Sequence, residues 1–263
     1  MKADDLLKKH SVHHWAKYSP HMPQYTKYAR DNANVILAGH KIDDVYTQFC
    51  NARASLIFME VDDYGQIIEK PNDINLKFIR SKFLFDALAL YNYCIDLSWQ
   101  VLYLYYGDAH VGITQDEEYY LQATKDCNME SLEVRLSIAK RDGVYNHVRG
   151  FMDRDLTHEL RKSYNYIKHR GTYHIEGLGL NDDVLPIGLG EDLQIKMLNR
   201  QTLHLDEFKE KLIQFDISFV KYFEDIIYTL MPEEFIETSM GLEDMLQMAR
   251  TVERWNKKQQ PDK

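Results

Sequence analysis

The sequence predicts an all-α protein, a helical bundle with long central helices. Three observations carry that prediction. Residues 34–59, 74–106 and 202–230 each repeat apolar side chains every three or four positions, the period of a helix with one inward face. Helix-capping residues stand ahead of several of the stretches. Glycine and proline, 12 and 6 in 263 residues, gather in the gaps between them.

Taken in order, residues 1–33 are rich in His, Lys and Tyr and carry Pro20 and Pro23. They read as an N-terminal arm, a short helix followed by an irregular stretch. His10, His13 and His14 share one helical face. No carboxylate or cysteine completes a ligand set, so a solvated helix end is read there and no metal site. Residues 34–257 read as one helical domain. In 34–59 the stripe is Val35, Leu37, Ile42, Val45, Phe49, Ala52, Leu56 and Met59, closed by Asp62-Asp63-Tyr64-Gly65. Pro71 and Asn72 mark a loop, and Asp73 is the expected cap of a helix from Ile74 to Tyr106. Its stripe is Ile79, Phe83, Ala87, Leu90, Cys94, Leu97, Val101, Leu104 and Tyr105. Apolar residues on its other faces predict a central spine roughly 45–50 Å long. Asp86 and Asp96 on this spine are expected to meet a basic or hydroxyl partner.

Thr114 with Glu117 has the form of a capping box for a helix ending near Cys127. Met129–Arg141 and Val144–Met152 follow, the latter after an Asp142-Gly143 turn. Asp153 or Asp155 is the expected cap of the helix that ends at Gly171. From 174 to 200 four glycines and Pro186 break the helical pattern. This excursion is read as a structured loop, with a short strand or hairpin near Leu193–Leu198. Ile187-Gly-Leu-Gly lacks the strand and helix of a dinucleotide or phosphate loop, so neither is read. Thr202–Leu230 is the clearest amphipathic helix. In Gly241–Trp255, Leu242, Met245, Leu246, Ala249 and Val252 are expected to face inward. Residues 258–263 form a polar tail.

Composition narrows the function. The chain is 44% hydrophobic and 28% charged, with net charge -9 and pI near 5.7. A general nucleic-acid coat is usually basic, so nucleic acid must meet a local patch. Cys50, Cys94 and Cys127 are odd in number and form no CxxC pair, which points to free thiols in a reducing cytoplasm. No secretory leader is read at Met1–His10. The apolar run 83–106 is interrupted by Asp86 and Asp96, so it reads as a buried helix and no membrane contact is expected.

The exception to the acidic balance is Arg161–His174. It holds Arg161, Lys162, Lys168, Arg170, His169 and His174 and no acidic residue. On a helix from Asp155 to Arg170, Arg161, Asn165, Lys168 and His169 fall within about 100° of one another. Lys162 and His169, seven apart, lie on nearly one line. Such a face can bind an anion, and its imidazole can transfer protons near neutral pH. A plainer reading stands beside it. Lys168, His169 and Arg170 precede Gly171, and cations at a helix C-terminus complement the macrodipole by about 0.3–1 kcal/mol each.

Asn165-Tyr-Ile-Lys-His169-Arg170-Gly171, closing a long helix in an all-α chain, resembles the signature of the HEPN superfamily of helical domains, over roughly residues 75–230. Many of its members are ribonucleases of toxin–antitoxin and antiviral systems. Its motif is an arginine, often followed by asparagine, and a histidine four to six residues beyond the arginine. Asn165 and His169 match. The slot before Asn165 is Tyr164, the longest allowed spacing falls on Lys162, and Arg161 is one residue further upstream. The resemblance implies a homodimer with both motifs in one cleft and an RNA or nucleotide ligand. It also implies metal-independent endoribonuclease activity without a cofactor, and an antitoxin or other protein partner. His169 would be the general acid/base and Asn165 its orienter, with Arg161 or Lys162 supplying the phosphate cation. Lys168, Arg170, Tyr166, Tyr173 and His174 would hold the RNA. The displaced arginine leaves two further readings open. One is a catalytically inactive nucleotide-binding or protein-interaction module, the other a purely structural helix end.

Overall fold

The structure is a computed structural model that describes residues 2–68, 72–107, 114, 116–179, 184–188, 194–196, 200–237 and 239–259. It is an all-α helical bundle. Its helices are α1 (Asp4–Lys9), α2 (Met22–Tyr28), α3 (Ala33–Met59), α4 (Asp73–Tyr105), α5 (Glu117–Lys125), α6 (Met129–Ile138), α7 (Asp142–Met152), α8 (Asp155–Arg170), α9 (Leu205–Leu230) and α10 (Leu242–Gln259). Among the described residues, four short strands interrupt them: β1 (His174–Ile175), β2 (Val184–Gly188), β3 (Gln194–Lys196) and β4 (Thr202–Leu203). β1 pairs with β4 in parallel, and β2 pairs with β3 antiparallel. The expected loop over 174–200 therefore contains a hairpin. Pro71, Gly190, Leu193, Leu198 and residues 260–263 of the polar tail lie outside the described residues. Among the described residues no helix is long and apolar enough to cross a membrane.

The chain forms two compact units. One comprises Met1–Ser11, Gln48–Tyr93 and Met152–Val220. Its core joins Phe49, Ala52 and Leu56 of α3, Leu84, Leu88 and Tyr91 of α4, Leu160 of α8, and Leu212, Phe215 and Phe219 of α9, all fully buried. A charged pair is sealed inside it. Arg53 donates two hydrogen bonds to Asp216, Nε to Oδ2 at 2.8 Å and Nη2 to Oδ1 at 2.7 Å. Tyr91 donates its hydroxyl to the same carboxylate at 2.7 Å, and Arg53 Nη1 reaches the His10 carbonyl at 2.7 Å. Each guanidinium nitrogen of Arg53 and each carboxylate oxygen of Asp216 is thus engaged, as burial of charge demands.

The other unit comprises Val12–Thr47, Cys94–Phe151 and Lys221–Lys263. Trp15 packs edge-on against Phe223, and Phe151 stacks on Tyr222 with ring centroids 3.9 Å apart. Residues 13–28, expected to be irregular, form a 3-10 turn and α2. Buried Trp15 supplies the apolar anchor that residue-by-residue polarity hides. Gly39 is needed here, because a Cβ would stand 2.7 Å from the Tyr18 carbonyl oxygen. His13 meets the Tyr46 hydroxyl at 3.1 Å and His14 meets Glu224 at 2.8 Å. Cys50, Cys94 and Cys127 form no disulfide with one another. Burial pushes the Cys127 thiol up to about 11, against the opposing pull of Arg135 and Lys41. At pH 8 its thiolate is roughly 100-fold scarcer than that of an ordinary thiol. Iodoacetamide is expected to label Cys127 at least about 30-fold more slowly than a cysteine peptide. A mass-spectrometric rate within three-fold of the peptide would contradict this.

Several expected details shift. All eight stripe residues of α3 are buried. On α4, Ala87, Cys94, Val101 and Leu104 of the expected stripe are buried, whereas Ile79, Phe83, Leu90, Leu97 and Tyr105 are only half-buried and Leu84, Leu88, Tyr91, Ile95 and Leu102 are buried beside them. A helix apolar on several faces gives no unique stripe, so its neighbours choose the inward one. Asp86 is exposed and pairs with Lys82 at 3.8 Å. Caps move by one or two residues. Asn72 rather than Asp73 accepts an amide, that of Asn75 at 2.8 Å, and Asp116 rather than Thr114 caps α5. α7 begins at Asp142 itself, and Asp155 lies in the first turn of α8 after an N-cap Arg154 with no side-chain bond. Ile138 of α6 is exposed. On α10, Leu242, Met245, Leu246, Ala249 and Val252 are exposed rather than inward. Its amphipathic pattern specifies a helix, and nothing in that pattern supplies a partner surface.

Candidate functional site

α8 is fixed by a narrow buried face. Thr157, Leu160 and Ser163 are buried at spacing three, which turns the opposite face to solvent. His158, Lys162, Asn165 and His169, spaced four, three and four apart, fall on that outer face in a strip about 60° wide at ~100° per residue. All four are exposed. The helix ends with Lys168, His169 and Arg170 in its last turn, and Gly171 turns the chain with φ +117°, a region that favours glycine.

A return strand and the start of α9 form the facing wall. Ile175 and Leu203 are buried and pair in register, and the His174 amide donates to the Gln201 carbonyl at 2.9 Å. Between this wall and α8 lies an open cleft of about 830 Å³. Arg161, Lys162, Asn165, His169 and Arg170 line it from α8. Tyr166 and Tyr173 also line it, with their rings tilted against each other at 4.6 Å between centroids. Gln201, Thr202, His204, Glu207 and Lys211 complete it.

The cleft therefore gathers Arg161, Lys162, Asn165, His169, Arg170, Tyr166 and Tyr173. It does not gather Lys168, which is exposed outside it, or His174, a half-buried residue of β1. Tyr164, in the slot before Asn165, is half-buried and meets Tyr93 of α4 edge-on at 6.0 Å. It points away from the cleft, because a residue next to the outer strip of a helix lies about 100° around it.

Sequence reading missed His158, His204, Glu159 and Lys211. His158 was legible as the first member of a four–three–four strip. His204 was hidden because Thr202 and Leu203 continue the apolar rhythm of α9, whereas they form a strand that ends before the helix begins at Leu205. Lys211 meets Glu159 across the cleft at 2.6 Å. Both are well exposed, so the pair contributes about 0–1 kcal/mol. His204 Nδ1 meets Glu176 Oε2 at 2.9 Å.

The electrostatics are local. The cleft carries Arg161, Lys162, Arg170 and Lys211 against Glu159 and Glu207, two more cations than carboxylates, in a chain of net charge -9. An anion is drawn to it by this excess at short range, since at physiological salt the screening length is about 8 Å. The open cleft, the amide of Asn165 and three imidazoles can bind a phosphodiester and move protons at it. Among the described residues no three His, Cys, Asp or Glu side chains converge where they could hold a metal ion. Comparison with family models, with curated proteins and with solved structures gives no match. The cleft is accordingly read on its own chemistry.

Proposed function

We propose that this protein is a HEPN-like RNA-binding protein that cuts single-stranded RNA without a metal ion, in a cytoplasmic toxin–antitoxin or antiviral setting. The observation that carries the reading is the meeting of His169, Asn165, Lys162 and Arg161 in one open cleft with a surplus of cations. Lys162 and Arg161 neutralise the phosphate, whose charge grows as the 2′-oxygen attacks. Asn165, one turn before His169 on the same strip, orients the phosphate or the imidazole. His169 exchanges the proton. Single-stranded RNA fits better than a duplex because its bases can leave the stack and rest on the half-buried rings of Tyr166 and Tyr173 that line the cleft. Two copies pair through the exposed strip of α8, so the rate per chain is expected to fall when the assay is diluted.

The orientation of Tyr164 separates two ways of supplying the missing guanidinium. Lys162 faces the cleft, and a planar fork holds a phosphate at two points where an ammonium holds it at one. Lys162→Arg is expected to raise cleavage several-fold and Lys162→Ala to lower it about ten-fold. Tyr164→Arg restores the family spacing but faces Tyr93, so it is expected to lower the melting temperature without raising cleavage. A gain of activity in Tyr164→Arg would place the phosphate on the other side of α8.

The test is incubation with single-stranded RNA in EDTA, wild type beside His169→Ala. Cleavage that the substitution removes supports the reading. Cleavage that survives it takes His169 out of the mechanism. Salt-sensitive RNA binding without cleavage, weakened in Arg170→Ala, would identify a binding module instead.

A further inference from the structure

We infer that His204 is a second catalytic residue of the cleft, the general base, held ready by Glu176. This rests on the ribonuclease reading above. The dyad is built by backbone register. β1 and β4 run parallel with His174 opposite Thr202 and Ile175 opposite Leu203, so Glu176 and His204, the residues that follow the two strands, leave the pair side by side. Burial of Ile175 and Leu203 anchors the pair, and alternation along the strand turns their successors outward. Lys77 of α4 donates to the Glu176 carbonyl at 2.9 Å, which fixes the backbone of the carboxylate. The outcome is His204 Nδ1 at 2.9 Å from Glu176 Oε2. His204 lines the same cleft as His169.

The chemistry follows from the tautomer. A carboxylate at Nδ1 holds the proton there and leaves the lone pair on Nε2, the form of imidazole that accepts a proton. His169 sits between Lys168 and Arg170 at the end of α8, and among the described residues no carboxylate pairs with it. The two rings thus take different tasks. His204 Nε2 removes the proton of the ribose 2′-hydroxyl, and the 2′-oxygen forms its bond to phosphorus. The bond from phosphorus to the 5′-oxygen breaks, and the protonated His169 gives that oxygen its proton. The products are a 2′,3′-cyclic phosphate and a 5′-hydroxyl, with no redox change and no further reactant. Glu176 is a positioning residue, since it acts through His204. Glu207 shares the cleft wall with His204, so its charge is part of the same field.

The experiment is the pH–rate profile on a single-stranded RNA in EDTA, read for wild type, His204→Ala, Glu176→Gln and His169→Ala. His204→Ala is expected to lower kcat/KM by about 100-fold or more and to abolish the ascending limb of the profile. Glu176→Gln is expected to lower kcat by about ten-fold and displace that limb, with KM within two-fold. His169→Ala is expected to remove the descending limb instead. Because His204 and Glu176 are exposed, unchanged circular dichroism is expected in both variants. Wild type that cuts RNA while His204→Ala cuts within three-fold of it overturns this inference and leaves the ribonuclease reading standing. Wild type that does not cut overturns both.

Discussion

His169→Ala is expected to lower the rate of RNA cleavage in EDTA by about 10²–10⁴-fold, the usual contribution of a positioned acid or base. That is roughly 3–5 kcal/mol of transition-state stabilisation. The loss should fall on chemistry rather than on binding. His169 is exposed in the last turn of α8, beside Arg170, to which the proposed reading gives the electrostatic work of holding RNA. The dissociation constant for a non-cleavable RNA analogue is therefore expected to change by less than about three-fold, whereas Arg170→Ala should weaken it and flatten its salt dependence. An exposed histidine near a helix end contributes about 0.5 kcal/mol or less to stability, so the melting temperature should hold within about 2 °C. A fall in kcat of less than three-fold with the fold intact would remove His169 from the mechanism.

Asp216→Ala is expected to be the most destabilising single change in the unit that carries the cleft. It leaves the Arg53 guanidinium buried with no counter-charge and strips Tyr91 of its acceptor. Breaking a buried pair in this way costs about 3–5 kcal/mol. At about 2–4 °C per kcal/mol for a chain of this size, the melting temperature is expected to fall by roughly 8–15 °C. Replacing both partners with apolar residues of similar volume, Arg53→Met with Asp216→Leu, should recover part of that loss, because no charge is left to desolvate. The His10 carbonyl would then lack the 2.7 Å bond from Arg53 and the buried Tyr91 hydroxyl its acceptor, which together set the residual cost at about 2 kcal/mol. Differential scanning calorimetry on the three proteins checks this. A single-variant loss below about 3 °C would mean that water reaches the pair.

How much of this was legible in the sequence depends on how many solutions each pattern allows. On α3 all eight stripe residues from Val35 to Met59 were readable and are buried, although Ile36, Ala38 and Arg53 are buried outside that stripe, and α9 was readable as an amphipathic helix. α4 has apolar residues nearly all round, so its inward line could be chosen only by what packs on it. α10 is amphipathic and yet exposes Leu242 and Met245. Periodicity reports the shape of a segment and says nothing about whether a partner is present. Caps were placed within two residues, because Asn72 and Asp116 compete with equally good neighbours, Asp73 and Thr114.

The candidate cleft divides along the same line. The α8 wall was readable, since helical spacing alone puts Lys162, Asn165 and His169 on one strip. The facing wall was not. Glu176 and His204 are 28 residues apart, and a two-residue parallel pairing brings them together. Four strand residues give too short a pattern to distinguish from the first turn of α9. The all-α class, the helix carrying the cations and the local reversal of charge were therefore determined by the sequence by itself. Which histidine faces which carboxylate, and that Tyr164 meets Tyr93, were decided only by the tertiary structure. The reason is physical: local periodicity fixes a residue's angle on its own helix, whereas register and packing across long sequence separations fix what that angle meets.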